Sequence, residues 1–188
     1  LQGEMRQRLS ARRQGPGAVA VGEGRVSFHG LRIAVVVSRY HDFVTDRLRA
    51  GALEALAASG VARQDVSVLE VPGSFEVPMA ARRAAETGRF DAVVCLGCLI
   101  RGETPHFDYI ASAASYGLMS ASGATGVPMT FGILTTDSAE QALARAGGGP
   151  ANKGWEAATA AVEMAALFRR LGGRRRARSG RREQERRP

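Results

Sequence analysis

Apolar positions along the chain switch between two periods, and the switching predicts a run of strands and helices. Leu31-Arg-Ile-Ala-Val-Val-Val37 is almost unbroken and β-branched, the pattern of a strand covered on both faces. Phe43 to Ala58 places Phe43, Val44, Leu48, Ala52, Leu53 and Leu56 at helical spacing, with Gly60 as the stop. Val66–Val71 is the second strand, and Phe75–Glu86 is the second helix, ending near Gly88. Ala92–Leu96 is the third strand. Pro105 to about Ser122 is the third helix, with Thr104 as its cap and Pro105 in its first position. Val127–Leu134 is the fourth strand, and Ala139–Ala146 is a short helix for which Asp137 and Glu140 form a capping box. Asn152 to about Arg170 is the last helix, apolar along Ala158, Ala161, Val162, Ala165 and Leu167. Arg25–Phe28 has the composition of one further short strand.

Strands alternating with helices predict right-handed crossovers, hence a parallel sheet with helices on both faces. Ligands of such sheets bind beyond the carboxyl ends of the strands. The loops that matter are therefore Ser38–Asp42, Pro72–Glu76, Gly97–Thr104 and Thr135–Asp137. There is no internal repeat and no second domain: residues 1–24 read as disordered or extended, 25–171 as one domain and 172–188 as an Arg-rich disordered tail.

Composition changes this picture in two places. With 45% hydrophobic but 6% aromatic residues, the core is aliphatic. Net charge is +8, yet ten Arg against Glu183 and Glu185 between Arg169 and Pro188 already give +8, so the rest of the chain sums to zero. The basic character belongs to the tail. No apolar run reaches the roughly 18 residues of a membrane span. The N-terminus has no apolar segment of a secretory signal, and with two cysteines the expected compartment is the cytoplasm.

The segment richest in chemistry is Gly97-Cys-Leu-Ile-Arg-Gly-Glu-Thr-Pro-His-Phe107. A buried strand ends there, Gly102 frees the backbone, and a helix begins whose first N–H groups form an anion site. His106 lies in that first turn and titrates near neutrality, which suits a proton carrier; a capped helix with a surface histidine explains the same residues equally well. Arg145 precedes Gly147-Gly-Gly149 and has the planar fork that fits phosphate, although most isolated arginines are simply solvated. Lys153 and Glu156 open the last helix, where a carboxylate ordinarily does no more than complement the helix dipole. Ser74-Phe-Glu76 follows a strand end, with Glu76 a candidate acceptor for a polyol or amine, or merely a charge at a helix start. Tyr40 follows the first strand and is placed to stack on a flat heterocycle, or to cover the core rim.

Two motifs fail on inspection. Cys95-Leu-Gly-Cys98 has redox spacing, but Cys95 falls inside a buried strand and no second pair exists for zinc. Gly149-Pro-Ala-Asn-Lys153-Gly154 lacks the Ser or Thr that must follow the lysine of a phosphate loop.

Taken together, LRIAVVVSRYHDF, VPGSFEVPMAA, DAVVCLGCLIRGETPHFDYI, GVPMTFGILTTDSAEQALARAG and NKGWEAATAAVEMA resemble the lumazine synthase family over about Leu31 to Leu171. The resemblance implies a flavodoxin-like three-layer α/β sandwich with a four-stranded parallel sheet, its N-terminal strand joining a neighbouring subunit. It implies condensation of 5-amino-6-(D-ribitylamino)uracil with 3,4-dihydroxy-2-butanone 4-phosphate to 6,7-dimethyl-8-ribityllumazine, without a metal or cofactor. By the same resemblance His106 moves the proton, while Arg145, the Glu103–Thr104 backbone and, more weakly matched, Lys153 hold the phosphate. Tyr40 stands where the family stacks Phe or Trp on the pyrimidine. Ser74, Phe75 and Glu76 meet the ribityl chain, Cys98, Leu99 and Ile100 line the pyrimidine pocket, and Phe131 enters from a neighbour.

The implied assembly is a pentamer or a shell of twelve pentamers, with active sites between subunits and riboflavin synthase as an associated protein. RAGGGPANKG has the length found in shell-forming relatives but carries Gly149 and Ala151 where Lys and Gly are common. The Arg-rich tail lies outside the resemblance, and its composition points to polyanion contact or to a solubilising extension. Two other functions compete: a non-catalytic family member that binds a riboflavin-like ligand or serves as a shell, and a nucleic-acid-binding protein carried by its basic ends.

Overall fold

The computed structural model describes residues 28–184, with side chains through residue 172. The strands are β1 (Ile33–Ser38), β2 (Val66–Val71), β3 (Ala92–Ile100) and β4 (Met129–Thr136). The helices are α1 (Asp42–Ala58), α2 (Val77–Glu86), α3 (His106–Thr125), α4 (Ala139–Arg145) and α5 (Lys153–Gln184), with single 3-10 turns at Arg63–Asp65 and Gly149–Ala151. All four strands run parallel in the order β2-β1-β3-β4. The expected three-layer α/β sandwich is therefore present. The strand expected at Arg25–Phe28 lies outside the described residues but for Phe28, as does the segment 1–24.

Successive strand residues face opposite layers, so a buried run on a central strand feeds two cores at once. Ile33, Val35 and Val37 of β1 with Val94, Leu96 and Cys98 of β3 pack against α1, α4 and α5. Ala34 and Val36 with Val93, Cys95 and Leu99 pack against α2 and α3. Each fully buried Val, Leu or Ile contributes about 1.5–3 kcal/mol through removal from water, and β1 and β3 carry most of that burial. The chain leaves β1 toward β2 over one face, then returns to β3 and on to β4 over the other. That reversal lies between β1 and β3, and a crevice opens at their carboxyl ends.

Several boundaries differ from the pattern-based expectation. β3 continues past Leu96 to Ile100, because Gly97 is held in the ladder opposite Ile133 of β4. β4 correspondingly starts at Met129 and runs through Thr136. Thr104 does not cap α3; the helix starts at His106 after Pro105, with no side-chain cap. The short helix α4 is capped by Ser138, not Asp137: the Gln141 N–H donates to Ser138 Oγ (3.3 Å), and Gln141 Oε1 accepts from the Asp137 N–H (3.1 Å). The cap sits one residue along because Ser138 has the extended backbone a cap needs, and Gln141 reaches back to the N–H of the residue before it. The last helix continues to Gln184, beyond the end expected near Arg170 and into the segment expected to be disordered. Arg, Ala, Glu and Gln favour helix after the apolar stripe has ended. No helix among the described residues is long and apolar enough to cross a membrane.

Candidate active site

A cleft of about 800 Å3 occupies the crevice at the carboxyl ends of β1, β2 and β3. As β1 leaves the sheet, the Arg39 and Tyr40 N–H groups donate to the Val71 and Pro72 carbonyls (2.8 and 3.2 Å), which ties the two loops together. This places Tyr40, 65% exposed, in the cleft lining together with Ser74, Phe75 and Glu76. An aromatic ring left this open in a cleft is a surface without its partner.

Ser74 is 4% exposed, and its Oγ has no hydrogen-bond partner among the described residues. Buried hydroxyls are almost always satisfied, so one that faces a cleft and lacks a partner points to a ligand hydroxyl or amine. Gly97 makes room for it: a Cβ there would lie 2.5 Å from Ser74 Oγ and 3.3 Å from the Ile133 side chain. Gly97→Ala is expected to displace Ser74 and lower kcat/KM at least tenfold, at a stability cost of about 1–3 kcal/mol from overpacking. Steady-state kinetics beside a urea titration check it; unchanged kcat/KM would remove Ser74 from the site.

The floor and far wall come from the end of β3 and the loop behind it. Cys98, Leu99 and Ile100 line the cleft, followed by Gly102, Thr104 and His106. Glu103 is exposed in the same loop and is not part of this cleft's lining. Arg101 fixes this loop. Its N–H donates to the Thr136 carbonyl (2.8 Å), its guanidinium reaches Asp108 (3.1 Å) and Asp137 (3.2 Å), and it lies over the Phe107 ring at 4.2 Å. The start of α3 is thus clamped to the end of β4, with the exposed His106 held at the cleft rim. The two cysteines face opposite layers and are buried, so they are not a redox pair. Burial pushes the Cys98 thiol up to about 11 and the Cys95 thiol higher still, which suits lining and not nucleophilic chemistry.

The remaining predicted residues lie elsewhere. Phe131, Arg145 and Lys153 line a second cleft of about 360 Å3 between β4 and the start of α5. Phe131 is 48% exposed. Arg145 donates to the Gln141 carbonyl of its own helix (3.2 Å), and Lys153 pairs with Glu156, which lines the same cleft. Thr130 Oγ1, also lining it, is buried without a partner among the described residues. One chain therefore presents the predicted site in two pieces, His106 with the first and Arg145 with the second.

Three residues that the geometry makes prominent stand out less in the sequence. Arg101 is there one residue of a longer motif. Asn152 is there the start of a helix, although Asn before an apolar period is a cap signal. His41 carried no signal beyond its place beside Tyr40, yet it lines the first cleft, and burial lowers its pKa despite the opposing charge of Asp42.

With this arrangement in hand, the sequence model of the 6,7-dimethyl-8-ribityllumazine synthase family matches residues 30–169, which spans every strand and both clefts. The chain belongs to that family. Among curated relatives, the 6,7-dimethyl-8-ribityllumazine synthase of Syntrophus aciditrophicus (strain SB) is 50% identical over 151 residues, covering 80% of this chain and 98% of the relative. That of Desulfatibacillum aliphaticivorans is 50% identical over 145 residues, covering 77% of this chain and 94% of the relative. As a lumazine synthase family member, the chain is a transferase of riboflavin biosynthesis. It catalyses the condensation of 5-amino-6-(D-ribitylamino)uracil with 3,4-dihydroxy-2-butanone 4-phosphate to 6,7-dimethyl-8-ribityllumazine.

Proposed function

We propose that this condensation runs in a composite site, formed where the first cleft of one copy meets the second cleft of the next. The observation that carries the reading is the split itself: proton carrier and phosphate-binding candidates sit in separate clefts of one chain, each with an orphaned hydroxyl. Large apolar side chains left in water support a partner: Met79 of α2 and Tyr116 and Met119 of α3 are 75%, 78% and 76% exposed. The two clefts are different surfaces, so the contact is head-to-tail, and such contacts make a ring where the rotation between neighbours closes. A pentameric ring gives every copy the same two neighbours.

In this site the pyrimidine stacks on Tyr40 against Cys98, Leu99 and Ile100, and its ribityl chain meets Ser74, Phe75 and Glu76. Phe131 closes over it from the neighbour. Arg145 and Lys153 grip the phosphate against the Glu103–Thr104 backbone, within the field of the α3 N-terminus. The amine attacks the ketone carbon to give a carbinolamine, and loss of water gives the Schiff base. Phosphate is then eliminated with the proton of the neighbouring carbon, the resulting enol becomes a ketone, and the second nitrogen attacks that carbonyl and loses a second water to close the ring. His106 relays the protons these steps need, worth roughly 10²–10⁴-fold. Holding two reactive partners in register supplies the larger share.

Incubating the purified chain with both substrates and following lumazine absorbance and fluorescence tests the reading directly. Clear acceleration over the uncatalysed reaction is expected; none, from a folded oligomeric sample, overturns it. Arg145→Ala is expected to raise KM for the butanone phosphate about tenfold to a hundredfold, the value of charge-assisted bonds to phosphate, and to leave the pyrimidine KM alone. An unchanged phosphate KM would take Arg145 out of the site.

A further inference from the structure

Between β1 and α1 the chain turns through His41, which among the described residues is the one non-glycine with positive φ (61°, ψ 49°). Any residue with a Cβ is strained in this left-handed conformation, and glycine or asparagine would hold it at less cost. Such strain, when kept by a folded protein, concentrates at ligand sites. The fold uses only the backbone of His41: its carbonyl accepts the Val44 and Thr45 N–H groups (2.9 and 3.0 Å), and its side chain makes no cap bond. The imidazole instead stands edge-on to Tyr40 (ring centroids 4.5 Å apart) and to Phe43 (5.8 Å). It lines the first cleft with Ser74 and His106.

We propose that His41 is a further substrate-binding residue, whose ring nitrogen takes the polar edge of the heterocycle stacked on Tyr40. This rests on reading the first cleft as the pyrimidine site. The left-handed turn is then what carries the imidazole into the cleft while Tyr40 and Phe43 fix its plane. A planar ligand with both a π-face and hydrogen-bonding edges is the chemical class this pairing selects; a purely apolar ring would leave the imidazole nitrogen unpaired.

The test compares the full chain with His41→Gly, which relieves the strain and removes the ring, and His41→Phe, which keeps the aromatic contacts but has no nitrogen. In both variants KM for 5-amino-6-(D-ribitylamino)uracil is expected to rise about tenfold, the worth of one polar contact, with the butanone phosphate KM within about twofold of the parent. The Gly variant is expected to melt no lower than the Phe variant. A pyrimidine KM within about twofold of the parent in either variant overturns the proposal. So does a parallel rise of both KM values, which would mark a structural role in the loop. An inactive parent would instead overturn the composite-site reading. Fluorescence titration with the ribitylaminouracil alone then still decides for His41: a weakened Kd in His41→Gly supports it, and equal or absent binding overturns it.

Discussion

Replacing Asn152 by alanine is expected to cost about 3–5 kcal/mol of stability. The residue is 2% exposed. Its Nδ2 shares two hydrogens among the carbonyls of Arg47 (3.0 Å), Ala146 (3.2 Å) and Gly147 (2.7 Å), while Oδ1 accepts from the Gly154 and Trp155 N–H groups (2.7 and 3.3 Å). One amide thus caps α5, closes the turn after α4 and crosses to α1. Truncation loses the cap, about 1 kcal/mol, and strands buried donors and acceptors at about 1–3 kcal/mol each, part of which entering water recovers. The neighbourhood cannot close over the hole. Gly51 of α1 already gives its side-chain space to Asn152, where a Cβ would lie 2.5 Å from Cγ, and at Gly154 a Cβ would lie 2.0 Å from the Leu48 carbonyl oxygen. α5 therefore meets the α1 backbone directly at Gly154, while the Asn152 amide fills the space beside Gly51. Asn152→Asp should do no better, because it keeps the cap oxygen but buries a charge facing three carbonyls. Since Arg145 and Lys153 flank this junction, whatever Asn152→Ala protein folds should also show a raised butanone phosphate KM. Chemical denaturation checks the first claim, and a loss below about 1 kcal/mol would mean that the junction relaxes far more than its packing suggests.

What the sequence revealed, and what it hid, follows from where each signal is stored. Buried parallel strands carry their signal residue by residue, so β1 and β2 were legible within two residues and β3 by its start. Strand ends were not, because Gly97 reads locally as a breaker, whereas here it is paired to β4 and kept small by Ser74. Helix caps fell one residue away from the expected Thr104 and Asp137, because more than one neighbouring residue fits a cap and backbone angles decide. The candidate site residues were legible as motifs: those of the first cleft follow strand ends, whereas Phe131 lies within β4 and Arg145 and Lys153 lie on α4 and α5. Their division between two clefts was not, because the blocks containing His106 and Arg145 are separated by β4, whose position at the sheet edge is a tertiary fact. His41 was hidden for a different reason: a left-handed backbone leaves no mark when the residue is neither glycine nor asparagine.

That division makes a prediction no single-chain site would satisfy. A Tyr40→Ala/Ser74→Ala chain damages the first cleft, and an Arg145→Ala/Lys153→Ala chain damages the second. Each alone builds a ring in which every interface carries one damaged half, so each should fall by at least about a thousandfold from the summed loss of contacts. Unfolded together in equal amounts and reassembled, the two chains pair at random. About one interface in four then joins an intact first cleft to an intact second cleft across a head-to-tail contact. Activity should return to about a quarter of the parent value, hundreds of times above either parental variant, and should follow the product of the two mole fractions as the mixing ratio is varied. A site held within one chain predicts instead no recovery at any ratio, because no chain in the mixture has both halves intact. Recovery that tracked one variant linearly would point to residual activity of that variant. The curve with its maximum at equal mixing distinguishes a composite site from both, and it does so without knowing the size of the ring.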